Sequence, residues 1–251
     1  MSTIALTGKG GVGKTTIAAL MLQWLVKQER TPVLAIDADS NANLHELLGI
    51  TVSATVGGIR EQARTIAKSA PGIAKQEFLE LQVQQAIVEQ PGYDFLAMGR
   101  PEGPGCYCFA NNILRDVIER LSTTYRFLVI DCEAGLEHLS RRTVLSIDYL
   151  LTVSDPSVRG LHTALRIGQV LDEMKTRVRS RGLIVNRVPD AYELPDDQRK
   201  LFAGNQFSLF HTVPLDESIA GNDVQGLPIG SLPTDSPAAM AVDDLMKRLL
   251  G

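Results

Sequence analysis

The chain of 251 residues predicts a doubly wound α/β fold, a mostly parallel sheet flanked by helices. Two patterns point there. Short unbroken apolar runs, Val33–Ile36, Phe95–Met98, Phe127–Ile130, Tyr149–Val153, Leu183–Val185 and Phe207–Val213, alternate with amphipathic stretches such as Ile113–Leu121 and Leu161–Met174. Buried parallel strands read as continuous apolar runs, and their alternation with helical segments is the signature of crossover connections. The first run, Thr3–Leu6, also leads through a glycine-rich turn straight into a helical pattern carried by Ile17, Leu20, Met21, Trp24 and Leu25. Trp24 reads as a core residue.

Hydrophobic residues make up 44% of the chain, enough for a sizeable core, and a single domain over residues 1–251 is expected. Residues 41–90 look different: Gln-, Glu- and Lys-rich helical patterns surround Gly57-Gly58 and Pro71-Gly72. They read as helical material inserted between the second and third strands. The net charge of −4 offers no basic face to a nucleic acid. No apolar run approaches the roughly 20 residues of a membrane helix. The start, Met-Ser-Thr-Ile, carries no basic leader, and three cysteines make no disulfide framework. A cytoplasmic protein with neither nucleic acid nor membrane as partner is the expectation.

The turn after the first strand has the pattern G-x-x-x-x-G-K-T, from Gly8 to Thr15. Gly8, Gly10, Gly11 and Gly13, with Val12 between them, can let backbone N–H groups converge on phosphate oxygens. The helix beginning near Lys14 adds its positive dipole end. Lys14 can reach the outer phosphates and the Thr15 hydroxyl can join a Mg²⁺ ion, with Thr16 completing the first helical turn. A glycine-rich turn without a ligand is the plain alternative, and the strand-to-helix position argues against it. Two carboxylate motifs fall at strand ends, where such sheets bind ligands. Asp37 and Asp39, at i and i+2 after Ala35-Ile36, share a face in extended chain. Asp131 closes four apolar residues, the form of a Walker B strand whose carboxylate serves Mg²⁺. Each alone could be a helix cap or a turn residue. With the loop in front of them they indicate a Mg²⁺–nucleotide site.

Lys9–Thr16, Asp37-Ala38-Asp39 and the Asp131 strand together resemble the deviant Walker A ATPases. That group includes the nitrogenase iron protein, the Min and Par positioning ATPases, and metallocentre maturation ATPases, and the resemblance spans nearly the whole chain. It implies an ATPase that binds ATP or ADP with Mg²⁺ and acts as a homodimer. Lys9, a second lysine at the front of the loop, would cross the interface to the partner's phosphates, with Lys14 and Asp39 as the other catalytic residues. Asp39 would orient the attacking water, Asp37 would support the Mg²⁺ and phosphate environment, and Asp131 would serve the metal. Gly135 would offer a backbone N–H near the γ-phosphate, while Asn186 and Pro214 would frame adenine. Ser40 stands where members of the group often have proline.

A glycine- and proline-rich stretch, Gly103–Gly105, precedes Cys106-Tyr107-Cys108. A C-x-C pair supplies two sulfurs, whereas a closed tetrahedral site needs four. Two copies on a dimer axis would make a four-thiolate site suited to Zn²⁺ and open to Ni²⁺. Small core cysteines or a redox pair are the alternatives. Cys132 and His138 are too uncertain in direction to serve as ligands, and Cys132 reads as packing. The string Gly105–Cys108 with Asn111–Arg115, together with Asp131–Leu139, resembles the CooC-type maturation ATPases. That implies ATP-dependent nickel insertion into carbon monoxide dehydrogenase, or into a related acetyl-CoA synthase centre, as the client. Two rivals remain. A Min- or Par-type positioning ATPase would want a basic anchor, but Asp243 and Asp244 offset Lys247 and Arg248 in a C-terminal pattern whose apolar face is Val242, Leu245, Met246 and Leu249. A nitrogenase-like reductase would need a second cluster cysteine, and Cys132 comes too early after Asp131.

Overall fold

A strand covered on both faces has no side chain left for water, and apolar runs such as Val33–Ile36 and Phe127–Ile130 form such strands. The computed structural model describes residues 1–39, 43–59, 81–99, 124–132, 146–173 and 177–251. In chain order it contains β1 (Ser2–Gly8), α1 (Lys14–Lys27), β2 (Val33–Ala38), α2 (Leu44–Leu48), β3 (Val88–Gln90), β4 (Tyr93–Ala97), β5 (Phe127–Cys132) and β6 (Ile147–Ser154). After these come α3 (Val158–Glu173), β7 (Val178–Val188), α4 (Asp196–Gly204), β8 (Phe207–Pro214), α5 (Glu217–Gln225), a 3₁₀ turn (Ile229–Ser231) and α6 (Pro237–Leu250). Cys106, Cys108, Gly135, His138, Ser40, the Ile113–Leu121 pattern and residues 41–42 and 60–80 of the 41–90 insertion lie outside the described residues.

The eight strands form one sheet in the order β3-β4-β2-β5-β1-β6-β7-β8. All neighbours are parallel except β3 and β4. The chain leaves β1 toward β2 and leaves β5 toward β6, so the connections diverge between β1 and β5. That is the switch point at which a doubly wound sheet opens a crevice at its carboxyl ends. The edge strand β3 is a departure from the expected helical insertion. Residues 88–90 pair back onto β4 through Pro91-Gly92, where Gly92 has φ +88°. Proline followed by a positive-φ glycine is the chemistry of a tight turn, and it converts the end of the insertion into a hairpin.

One face of the sheet is covered by α1 and α6, with Ile4, Leu6, Ala35, Val129 and Val153 packed against Ile17, Met21, Leu25, Leu245 and Met246. The opposite face carries Leu34, Ile36, Leu128, Ile130 and Cys132, covered in part by the helical residues 56–59 and 81–85. Farther along the sheet, α3 and α4 pack Leu161, Ala164 and Phe202 on β7. Helix α1 is buried nearly all round. Trp24 donates from Nε1 to Asp243 Oδ1 at 2.8 Å, and Arg30 donates to the Leu250 carbonyl at 3.0 Å while lying over the Trp24 ring. These contacts clamp α6 onto α1. Helix α6 is well specified locally: Ser236 caps it, Pro237 opens it, and Lys247 and Arg248 lie in its last turn. Val242, Leu245 and Met246 are buried, so its apolar face is already occupied by the protein. Among the described residues, no helix is long and apolar enough to cross a membrane.

Candidate nucleotide site

The loop between β1 and α1 is shaped by three positive-φ glycines: Gly8 at +148°, Gly11 at +78° and Gly13 at +93°. At Gly8 a side chain is also excluded by space, since a Cβ there would lie 2.1 Å from the Val153 carbonyl oxygen of β6. Gly8→Ala is therefore expected to lower stability by about 3 kcal/mol or more, because strained backbone and a clash with main chain combine. Thermal unfolding measures this; a variant within about 0.5 kcal/mol of the wild type would show that β1 and β6 can part without loss.

Lys14 is buried at the first position of α1, and its Nζ donates to the Lys9 carbonyl at 3.3 Å. Lys9 itself is exposed. Asp37 and Asp131 occupy matched register positions on the adjacent parallel strands β2 and β5, 0% and 1% exposed. Asp37 accepts the backbone N–H of Leu44 at 2.8 Å and of Asp39 at 3.1 Å. Burial nonetheless pushes its carboxyl up to about 6, against those two bonds. Asp131 is pushed up to about 7, first by burial and further by the Asp37 charge, against the Thr15 hydroxyl and the Lys14 ammonium. One oxygen of Asp131, Oδ1, is buried with no hydrogen-bond partner. Two buried carboxylates side by side, one with an orphaned oxygen, form an environment short of positive charge. Among the described residues no three His, Cys, Asp or Glu side chains gather into a metal cage. Mg²⁺ needs none, since it takes one or two carboxylates and completes its shell with water and phosphate. The donor set therefore fits Mg²⁺.

A second group of residues forms the wall of a cavity of about 240 Å³ beside the start of α1. Thr16, Asn186, Arg187, Pro214 and Leu215 line it, together with Asp216 and Ile219 from the start of α5. The structure thus brings Lys14, Thr15, Asp37, Asp39 and Asp131 to the loop, and Thr16, Asn186 and Pro214 to the adjoining cavity. Cys132 is fully enclosed in the sheet face opposite α1. Burial drives its thiol far above the ordinary range, so it is a neutral packing group. Three residues were not picked out by sequence reasoning. Asp155 accepts the Ser157 N–H at 2.8 Å and lies near both Lys9 and Arg187. Arg187 reaches the loop from β7. Asp216 caps α5, and its one sequence signal is the D-x-S pattern with Ser218.

A phosphate-type loop at the switch point, buried carboxylates near it and an open cavity beside it define a nucleotide-binding protein of the P-loop class. The chain belongs to the CobQ/CobB/MinD/ParA nucleotide-binding domain family, whose model matches residues 3–229. An uncharacterised ATP-binding protein of Methanocaldococcus jannaschii is 39% identical over 251 residues, covering 98% of each chain. The carbon monoxide dehydrogenase accessory protein CooC of Rhodospirillum rubrum is 30% identical over 238 residues, 89% of this chain and 88% of that one. Among solved structures, the septum site-determining protein MinD of Pyrococcus horikoshii, complexed with Mg-ADP, superposes with a TM-score of 0.71 at 23% identity, covering 99% of this chain and 96% of that one. At that identity the likeness is one of fold.

Proposed function

We propose that this chain is a Mg²⁺-dependent ATPase that works as a nucleotide-gated homodimer and drives nickel insertion into carbon monoxide dehydrogenase or a related acetyl-CoA synthase centre. The hydrolytic part of this reading rests on one observation: Asp37 and Asp131 lie paired and buried beside Thr15 and Lys14 at the N-terminus of α1. Thr15, Asp37 and Asp131 would hold Mg²⁺, which when bound neutralises charge on the outer phosphates. Gly8, Gly10, Gly11, Val12, Gly13 and Gly135 would supply N–H groups to the phosphates, and Lys14 a fixed positive charge. Asp39 would orient the water that attacks the terminal phosphorus, whose bond to the ADP oxygen then breaks. Asn186, Pro214 and the cavity they line would take the adenine. Lys9, exposed at the front of the loop, would reach the phosphates bound by a second copy.

Nickel is the cargo in this reading, and its support is the 30% identity to CooC together with Cys106 and Cys108. In a dimer the four thiolates would form one site, able to hold Ni²⁺ or Zn²⁺. Cys106→Ser is expected to remove the dimer-linked metal, about one ion per two chains, and to leave ATP turnover within about twofold. Metal analysis of anaerobic protein with Ni²⁺, with and without nucleotide, checks it; unchanged stoichiometry would place the metal elsewhere. A positioning ATPase of the Min or Par kind shares the fold. The burial of Val242, Leu245 and Met246 commits most of the apolar face of α6 to the protein rather than to a membrane. ATP-dependent binding to liposomes or DNA would favour that reading instead, and a visible absorption band from bound iron–sulfur would favour a reductase.

A further inference from the structure

Strand β7 is irregular near its carboxyl end. Its register with β8 shifts between Asn186 and Val188, and the residue between them, Arg187, has φ +58°. Left-handed backbone suits glycine and is tolerated by asparagine, whereas a long side chain there is strained. The bulge changes where side chains aim. On a regular strand successive side chains point to opposite faces. Here Asn186 and Arg187 both reach back to the loop after β1. Asn186 Nδ2 donates to the Val12 carbonyl at 2.8 Å, a buried bond, and Arg187 Nη1 donates to the Gly11 carbonyl at 3.1 Å. Gly13 makes room for the first of these: a Cβ at that position would lie 2.3 Å from Asn186 Nδ2.

The two acceptors belong to consecutive peptide units. In a trans peptide the C=O and the N–H point in opposite directions. Anchoring the Gly11 carbonyl toward β7 therefore turns the Val12 N–H away from β7, and anchoring the Val12 carbonyl does the same for the Gly13 N–H. The loop needs such an anchor, because a Cβ at Gly10 or Gly11 would meet nothing within 4 Å. Val12 is buried in the core, but Gly10 and Gly11 have no side chain to fix their peptide units, and glycine backbone is conformationally permissive. The geometry points to Arg187 as a positioning residue of the phosphate cradle: with Asn186 it clamps two successive peptide units so that their N–H groups stay aimed at phosphate. The strained backbone at Arg187 is retained for the reach of its guanidinium, not for the turn itself. Asp155 lies near the same group and Lys9, keeping the front of the loop electrostatically matched.

This clamp rests on the reading of Gly8–Thr15 as the phosphate site, and the two can be tested apart. Mg-ADP and adenosine affinities are measured by calorimetry and competition for wild type, Arg187→Gly and Arg187→Lys, with thermal unfolding of each. Arg187→Gly is expected to unfold at the wild-type temperature or above, because its backbone is relieved, yet to bind Mg-ADP about tenfold more weakly. Adenosine, which has no phosphate but meets Arg187 on the cavity wall, is expected to lose clearly less affinity than Mg-ADP, about threefold at most, and Arg187→Lys to recover most of the Mg-ADP affinity. Unchanged Mg-ADP affinity in Arg187→Gly, with normal binding by wild type, overturns the clamp and leaves the phosphate site standing. An equal loss for adenosine and Mg-ADP reduces Arg187 to a general structural role and also overturns it. Failure of the wild type to bind Mg-ADP sinks the phosphate-site reading, and the clamp with it.

Discussion

Lys9→Ala is expected to cut steady-state ATP turnover by about 10³-fold while Mg-ATP binding stays within about threefold of wild type. The loop's two lysines have opposite surroundings. Lys14 is buried at the start of α1 with its amine against the Lys9 carbonyl, as suits a fixed phosphate ligand. Lys9 is exposed on the front of the loop. A charge delivered from a partner acts on the charge that develops in phosphoryl transfer, so its removal lowers kcat rather than affinity. Turnover per chain in the wild type is also expected to rise with protein concentration, and in the variant to stay flat. Turnover within threefold of wild type in Lys9→Ala would refute the trans role.

Asp216→Ala is expected to lower stability by about 3 kcal/mol, because one carboxylate there serves two helix starts. Its Oδ1 accepts the Ser218 N–H at 2.9 Å, and the Ser218 hydroxyl as well, capping α5. Its Oδ2 accepts the Ser236 hydroxyl at 2.6 Å and the Ala238 N–H at 3.2 Å at the start of α6. Burial alone would raise this carboxyl, but the bonds from Ser218, Ser236 and Ala238 outweigh it and hold it below the usual carboxylate range. The unfolded state then binds the proton more readily than the folded one, so this contribution is present above about pH 4 and is lost as pH falls through the depressed folded value. Denaturant titrations of wild type and variant should therefore converge on acidification. A difference that is constant from pH 7 to about pH 3 would show that the hydrogen bonds do not depend on the charge. All four acceptor positions of Asp216 are filled, so it shapes the cavity wall while keeping no acceptor for a ligand.

The strands of the core were legible because a buried parallel strand imposes its apolar run locally, as in Phe127–Ile130 and Val33–Ile36. The same holds for the loop. Gly8 and Gly13 hold positive φ in the turn between β1 and α1, which the glycine spacing advertises, and Lys14 and Thr15 open the helix that follows. The hairpin of β3 was missed because three residues carry no period, although Pro91-Gly92 advertised a turn.

Contacts between distant segments could not be read that way. Asp37 and Asp131 are 94 residues apart, and only the insertion of β5 between β2 and β1 sets them side by side, buried and short of positive charge. Arg187 looks like any exposed arginine after a strand. Its reach across 176 residues to Gly11 depends on a bulge produced by pairing with β8. Asp216 reads as an ordinary cap for α5, and its hold on α6 exists only because Ser236 returns to it from 20 residues on. Periodicity and turn chemistry are short-range and so are written in adjacent letters. The aim of a side chain across a sheet depends on strand order and register, which exist only once the chain has closed on itself.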